Sequence, residues 1–345
     1  MYRVREADNT EQDRYDGFVA EHDGHACQSF AWGEIDRARG WSPVRLMVED
    51  DSGRMAATAA GACKPVGGRW SVLDVPWGPA LDATAADPES VIRALKGYAR
   101  ERRVIHLRVN PEIPADDGLG ALLGSAGFSV TDTPWRYNET WRIDLRPTED
   151  EILAKMEQST RGNIRRAERA GCTISNANSD QDFAAFLELY REMSLWRDRS
   201  GHSDAQLQAV WSLPHLRQLF VGYQDGRPYH ALLLYTFGRR VWQAYSASSG
   251  TIRSPGQCVN WAAIKWAKAN GHQDCDLGGK PREPENSQTH NGIYRYKRGF
   301  GGEEVARLSE MAWSPNAAWD RAFWLVMAAR GRLKRLFAHR GSSEG

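Results

Sequence analysis

Apolar and polar positions along this chain switch repeatedly between a two-residue and a 3.6-residue period. An extended run at 43–48 and small-residue strands around 55–63 precede a stretch, 88–103, in which Val91, Ile92, Leu95 and Tyr98 recur at helical spacing. Residues 104–109 then alternate as a strand does, a short helix over 119–125 stops at Gly127, and a strand over 139–145 runs into Pro147. The second half repeats the theme. Thr148 with Glu151 three residues later is a capping box opening a helix, and a basic helix over 161–170, a strand near 172–175 and a helix over 182–196 follow. Strands over 219–223, 229–237 and 241–247 are separated by turns at Asp225-Gly226 and Gly238-Arg239. A helix over 257–270 ends at Gly271, where the missing Cβ permits a left-handed cap, and a strand over 272–277 finishes on Gly278 and Gly279.

This alternation predicts an α/β (α+β) protein of two similar lobes, each a mixed sheet flanked by helices, as in a weak internal duplication. Lobe one would span 1–147, completed by a C-terminal helix within 309–345, and lobe two would span 148–308. The length of 345 residues agrees, since single cores stop growing below that size. With 41% hydrophobic and 26% charged residues the chain has enough apolar surface to form cores. Its 14 tryptophans, Trp32, Trp70, Trp141 and Trp266 among them, are expected mainly in cores and lobe interfaces. A formal charge of +1 excludes a protein coated for nucleic acid, so any RNA contact is local. The five cysteines, Cys27, Cys63, Cys172, Cys258 and Cys275, are scattered without metal-ligand spacing and read as reduced residues of a cytoplasmic protein. No motif suggests a metal, no run approaches the ~18 apolar residues of a membrane span, and the N-terminus lacks a signal core.

The most specific stretch pairs Asp276, Leu277, Gly278 and Gly279 with a later segment that runs from Asn291 and Gly292 through Tyr296 and Lys297 to Phe300, Gly301 and Gly302. Other marks stand in order: Gln28 to Trp32 followed by Gly40-Trp41, the pair Gly78-Pro79, the run Arg161 to Ala167, and the segment from Tyr190 to Asp198. Together they resemble the Fem (FemABX) family of tRNA-dependent aminoacyltransferases over nearly the whole chain. The resemblance implies a tandem acetyltransferase-like (GNAT-like) fold. It also implies transfer of an amino acid from aminoacyl-tRNA, as co-substrate and with no other cofactor, onto an amine of a peptidoglycan precursor or a peptide natural product.

An ester-linked aminoacyl group is already activated, so orientation and charge stabilisation suffice without a covalent intermediate. A fixed cation beside the carbonyl oxygen is the useful device. The resemblance assigns it to Lys297, with Tyr296 as its packing neighbour; the alternative is a solvated lysine between Arg295 and Arg298. It likewise places Arg197 on acceptor phosphates, Tyr245 and Trp32 on the acceptor pocket, and Gly278 and Gly279 at the strand end. An arginine capping a helix end is the alternative for Arg197. Two positions depart from the pattern: Asp36 stands where relatives carry a phosphate-binding lysine, and Asn110 where they carry an aspartate proposed to move a proton. A carboxylate repels phosphate and an amide is no base, which points away from a nucleotide-linked acceptor. The coiled-coil arm of some members is absent, since no heptad run interrupts 148–308.

Clustered cations attract RNA phosphates, so Arg161, Arg165, Arg166 and Arg169 are candidates for holding tRNA, against the alternative of a solvated helix face with Glu168 interspersed. Residues 319–340 form a basic amphipathic pattern, Trp319, Phe323, Val326 and Leu333 opposite Arg321, Arg330 and Lys334, that suits packing on lobe one, tRNA, or peripheral contact with an anionic membrane. The rival function is a coenzyme A-dependent N-acyltransferase. Arg253, Gly256 and Cys258 approximate a pyrophosphate loop ahead of a helix, with Cys258 where Gly or Ala is expected. A non-catalytic binding protein that kept the fold is the third reading.

Overall fold

The computed structural model describes residues 2–325 apart from 68, 83–86, 116, 132–133, 135, 197–201, 253–254, 280–287, 317, 320 and 324. Fifteen strands are described: β1 (Arg3–Glu6), β2 (Ser42–Glu49), β3 (Met55–Gly67), β4 (Trp70–Val75), β5 (Ala80–Leu81), β6 (Val104–Val109), β7 (Ser129–Val130), β8 (Glu139–Asp144), β9 (Thr173–Ser175), β10 (Arg217–Gln224), β11 (Arg227–Phe237), β12 (Arg240–Ser248), β13 (Asp274–Gly279), β14 (Glu303–Ala306) and β15 (Met311–Trp313). Among the described residues they form two sheets, ordered β1-β2-β3-β4-β6-β15-β7 with β5 beside β3, and β14-β8-β13-β12-β11-β10-β9.

Each sheet contains one parallel pair, β4 with β6 and β12 with β13; the other pairs among the described residues are antiparallel. Parallel neighbours need a crossover, and both use a helix. In the first sheet it is Pro88–Glu101, which starts as the sequence suggests, with Asp87 accepting from Glu89 N and proline in the first turn. In the second it is Gln257–Ala269. The duplicated theme is therefore a repeated strand–helix–strand unit whose strand ends point toward the other lobe.

Burial explains the strand patterns. Leu232 and Leu234 of β11 enter a core with Ile164, Val259 and Ile264, while Ala231, Leu233 and Tyr235 enter another with Phe183 and Phe186. With helices on both faces the strand reads as an unbroken apolar run. In lobe one, Val91, Ile92 and Leu95 pack on Leu73, Leu107 and Val109. The second of lobe two's cores also takes in Ala26, Cys27, Trp32 and Ile35, so a segment of lobe one is packed into lobe two.

The boundaries differ from those read from sequence. β8, expected to close lobe one before Pro147, lies in the second sheet between β13 and β14. Its alternation is the same in either sheet, so only pairing decides its owner. Residues 309–345 do not begin as helix: Met311 and Trp313 are buried and β15 inserts between β6 and β7. The helical residues that follow bring Trp319 to Trp70, with ring centroids 5.6 Å apart, and Phe323 to His106, 6.1 Å apart, so this end packs on lobe one. Val326, Arg330, Leu333 and the rest of that pattern lie outside the described residues. Among the described residues no coiled-coil arm leaves lobe two, and no helix is long and apolar enough to cross a membrane.

Candidate active site

The end of β13 is built by its own side chains. Buried Asp276 accepts from Thr140 Oγ1 and from Gly278 N at 2.7 Å, and Gly278 takes φ 82°, a left-handed value that its lack of Cβ allows. This turns the carbonyls of Gly278 and Gly279 onto Lys297 Nζ, at 2.7 and 2.5 Å. Lys297 comes from the helix Gln288–Arg298. Burial drives its pKa down to about 8; Asp276 opposes the shift and Arg307 adds to it. A Cβ on Gly279 would stand 2.3 Å from Tyr137 Cβ, so only glycine leaves room for Tyr137 to pack beside the strand end in the cleft wall.

This strand end opens into a cleft of about 340 Å³ between the lobes. Lobe one contributes His25, Trp32, Arg39, Trp77 and Arg136, and lobe two contributes Tyr235, Trp242, Tyr245, Asp276 and the two glycines. Gln28 fixes the lobe-one wall. Its buried amide donates to Ala60 O (2.8 Å) and Pro76 O (2.5 Å) and accepts from Ala60 N (2.9 Å), tying the segment around residues 25–32 to the loop carrying Trp77. Tyr235 OH donates to Tyr245 OH at 3.0 Å, and Trp32 meets Tyr235 edge-on at 4.9 Å. Arg136 is held by Asp74 and Glu310, and Arg307 lies 4.3 Å over Trp77 with its guanidinium 3.5 Å from Asp276. A larger cavity, about 580 Å³, lies between Arg146, Lys155, Gln273 and Glu303; the strand-end glycines do not line it.

The structure thus brings Trp32, Tyr245, Gly278 and Gly279 to one cleft, with Lys297 directly behind the glycines. Other expected site residues lie elsewhere. Tyr296 points into lobe two's core and its phenol oxygen accepts from Asn260 Nδ2 at 2.7 Å, so it braces the helix without lining the cleft. Asn110 is buried, and its amide donates to Leu308 O at 3.0 Å; it fastens β6 to the returning chain. Asp36 is also buried off the cleft, with its pKa raised to about 6 by burial against a partial offset from Arg39, whereas Arg39, one turn on, lines the cleft. The repulsion of phosphate expected from Asp36 is therefore replaced by a cation. Of the basic helix, Arg161 donates to the carbonyls of Ala154 (3.2 Å) and Met156 and caps the preceding helix, while Arg165, Arg166 and Arg169 are exposed. Arg197 and Arg253 lie outside the described residues.

Comparison with known proteins agrees with this architecture. Residues 10–118 match the FemAB family model, and residues 154–298 match the model of the acetyltransferase (GNAT) domain. A Weissella viridescens protein, UDP-N-acetylmuramoylpentapeptide-lysine N(6)-alanyltransferase, is 24% identical, with 84% of this chain and 88% of its own length aligned. Lipid II:glycine glycyltransferase of Staphylococcus aureus is 21% identical over 93% of this chain and 95% of its own. The crystal structure of FemX superposes with a TM-score of 0.82 at 17% identity, covering 93% of this chain and 99% of that one. The chain is thus similar to Fem-family proteins over most of its length.

Sequence reading missed the seal at the other parallel strand end. The side chain of Glu112, two residues after Asn110, is buried at the lobe junction. Its Oε1 accepts from Arg240 (2.9 Å), Arg307 (3.0 Å) and Arg142 (3.3 Å). The three arginines lie 30 to 195 positions away in sequence, so no local spacing signals the cluster.

Proposed function

We propose that the protein transfers an amino acid from aminoacyl-tRNA to an amine of a peptidoglycan-precursor peptide, acting in the cytoplasm without a further cofactor. The observation that carries this is the interlobe cleft, which combines aromatic walls, arginines and a strand end backed by a buried lysine. The activities named for the two relatives support the acceptor class. Aromatic and arginine walls suit a peptide with carboxylate or diphosphate groups, and Arg39 suits a lipid-linked or a nucleotide-linked muropeptide alike.

In the reaction the acceptor amine attacks the ester carbonyl, a C–N bond forms, and the C–O bond to the tRNA ribose breaks. The proton leaving the amine ends on the departing ribose oxygen. The carbonyl oxygen carries negative charge in between, and protonated Lys297 is the cation that answers it. With a pKa of about 8 the lysine is mostly charged at neutral pH. Cys27 in the cleft wall is no rival nucleophile, because burial lifts its thiol well above the usual range.

Single-turnover transfer from a pool of radiolabelled aminoacyl-tRNAs to lipid-linked and nucleotide-linked muropeptides tests the proposal, with acetyl-coenzyme A in parallel. Transfer from one aminoacyl-tRNA is expected. Transfer from acetyl-coenzyme A alone would favour the second reading, which rests on the acetyltransferase-domain match spanning the helix Gln257–Ala269.

A further inference from the structure

His25 belongs to none of the motifs that mark the family, yet it sits in the cleft wall with only 5% of its surface exposed. Its ring lies between two tryptophans, one from each lobe: 5.1 Å from Trp77 at 22° and 4.3 Å from Trp242 at 48°. Nδ1 is 3.0 Å from Cys27 N, and a backbone N–H only donates, so Nδ1 carries the lone pair. A neutral imidazole then has its proton on Nε2. Among the described residues Nε2 has no hydrogen-bond partner, and it is not among the sealed-off buried atoms, so it reaches the cleft. Charged groups around the ring favour the neutral form. Burial is the main cause, Arg307, Arg240 and Arg136 add to it, and Asp276 opposes.

His25 lines the same cleft as Asp276, Gly278 and Gly279, and Lys297 holds the carbonyls of those two glycines, so both residues flank one strand end. From this geometry we infer that His25 is a second hydrogen-bond donor of the transfer site, presenting Nε2–H to the carbonyl oxygen that gains charge as the acceptor amine attacks. The inference rests on the acyl-transfer reading above. His25 gains and loses no proton: the amine proton passes to the ribose oxygen, and the imidazole only polarises the carbonyl. It is thereby excluded as general base, because its lone pair is occupied by Cys27 N–H.

Two variants separate donor from scaffold. In His25→Asn the side-chain oxygen can still accept from Cys27 N–H but no donor reaches the Nε2 position; in His25→Gln the amide nitrogen restores a donor there. We expect His25→Asn to lower kcat about a hundredfold with acceptor KM within about threefold, and His25→Gln to recover to within about tenfold of the unaltered protein. Equal losses in both variants, or a raised acceptor KM at unchanged kcat, would overturn the inference. A ¹⁵N-histidine spectrum of the full chain gives an assay-free readout. One imidazole, missing in His25→Gln, should stay in the neutral Nε2–H form from about pH 5 to 8, and a resonance that titrates in that range would overturn it too. Failure of the unaltered protein to modify any muropeptide would sink the functional reading instead, while the spectrum would still judge the tautomer.

Discussion

The two lobes repeat one topological unit and put its ends to opposite uses. In lobe one the chain leaving β6 passes through Asn110 to Glu112, and Arg142, Arg240 and Arg307 close over that carboxylate. In lobe two β13 ends on Gly278 and Gly279, whose carbonyls face one lysine and whose missing side chains leave the cleft open. Parallel strand ends are natural ligand sites in α/β sheets. The comparison teaches that topology offers two such ends here, and that side chains plug one with charge and open the other with glycine.

Breaking the plug should have the largest effect. Glu112→Ala leaves three largely buried guanidinium groups around an empty position, and urea denaturation should show a loss of about 3–5 kcal/mol. A change below ~1 kcal/mol would mean that the arginines find other partners and that the plug is decorative. At the open end, Lys297→Met should cut single-turnover transfer about a hundredfold, while the melting temperature stays close to that of the unaltered protein. The same lysine gives a pH signature. Transfer should fall as pH rises through about 8, where the cation is lost. Stability runs the other way. Between about 8 and the ordinary value of 10.5 the folded chain binds fewer protons than the unfolded one, so this lysine's contribution to stability grows with pH in that window, and Lys297→Met should abolish the growth.

Smaller effects sharpen the contrast. Gly279→Ala must push Tyr137 off the strand end, which should cost about 1–3 kcal/mol and weaken acceptor binding. An unaltered melting curve with normal KM would show that Tyr137 has another place to go. Asp36→Asn should do the reverse and stabilise. The carboxyl's folded pKa of about 6 exceeds the ordinary 3.8, so its contribution to stability declines as pH rises between the two values and stays low at neutral pH. Removing the charge should recover about 1 kcal/mol at pH 7, with transfer unchanged because Asp36 is off the cleft.

Much of this was legible in the sequence because it is local. The Thr148–Glu151 capping box and the helical spacing of Val91, Ile92 and Leu95 each act within a few residues, and the structure places them as read. The pairing of Asp276, Gly278 and Gly279 with Lys297 was also legible, since glycine at a strand end and a lysine in a marked segment are visible as residue types. Asn110 and Asp36 were read as substrate contacts from alignment with a pattern, but a pattern assigns positions and not directions. Both side chains turned inward, toward Leu308 and Arg39.

By itself, then, the sequence determined the order of strands and helices, the doubled α/β plan and the polar strand end with its lysine, because propensity, caps and periodicity are set by neighbours along the chain. Tertiary structure alone decided that β8 joins the second sheet and β15 the first. It also gathered Glu112 with three distant arginines and set His25 between tryptophans of both lobes. Those outcomes depend on register and burial between segments far apart in sequence, where one alternating strand or one charged residue looks like any other until its partners arrive.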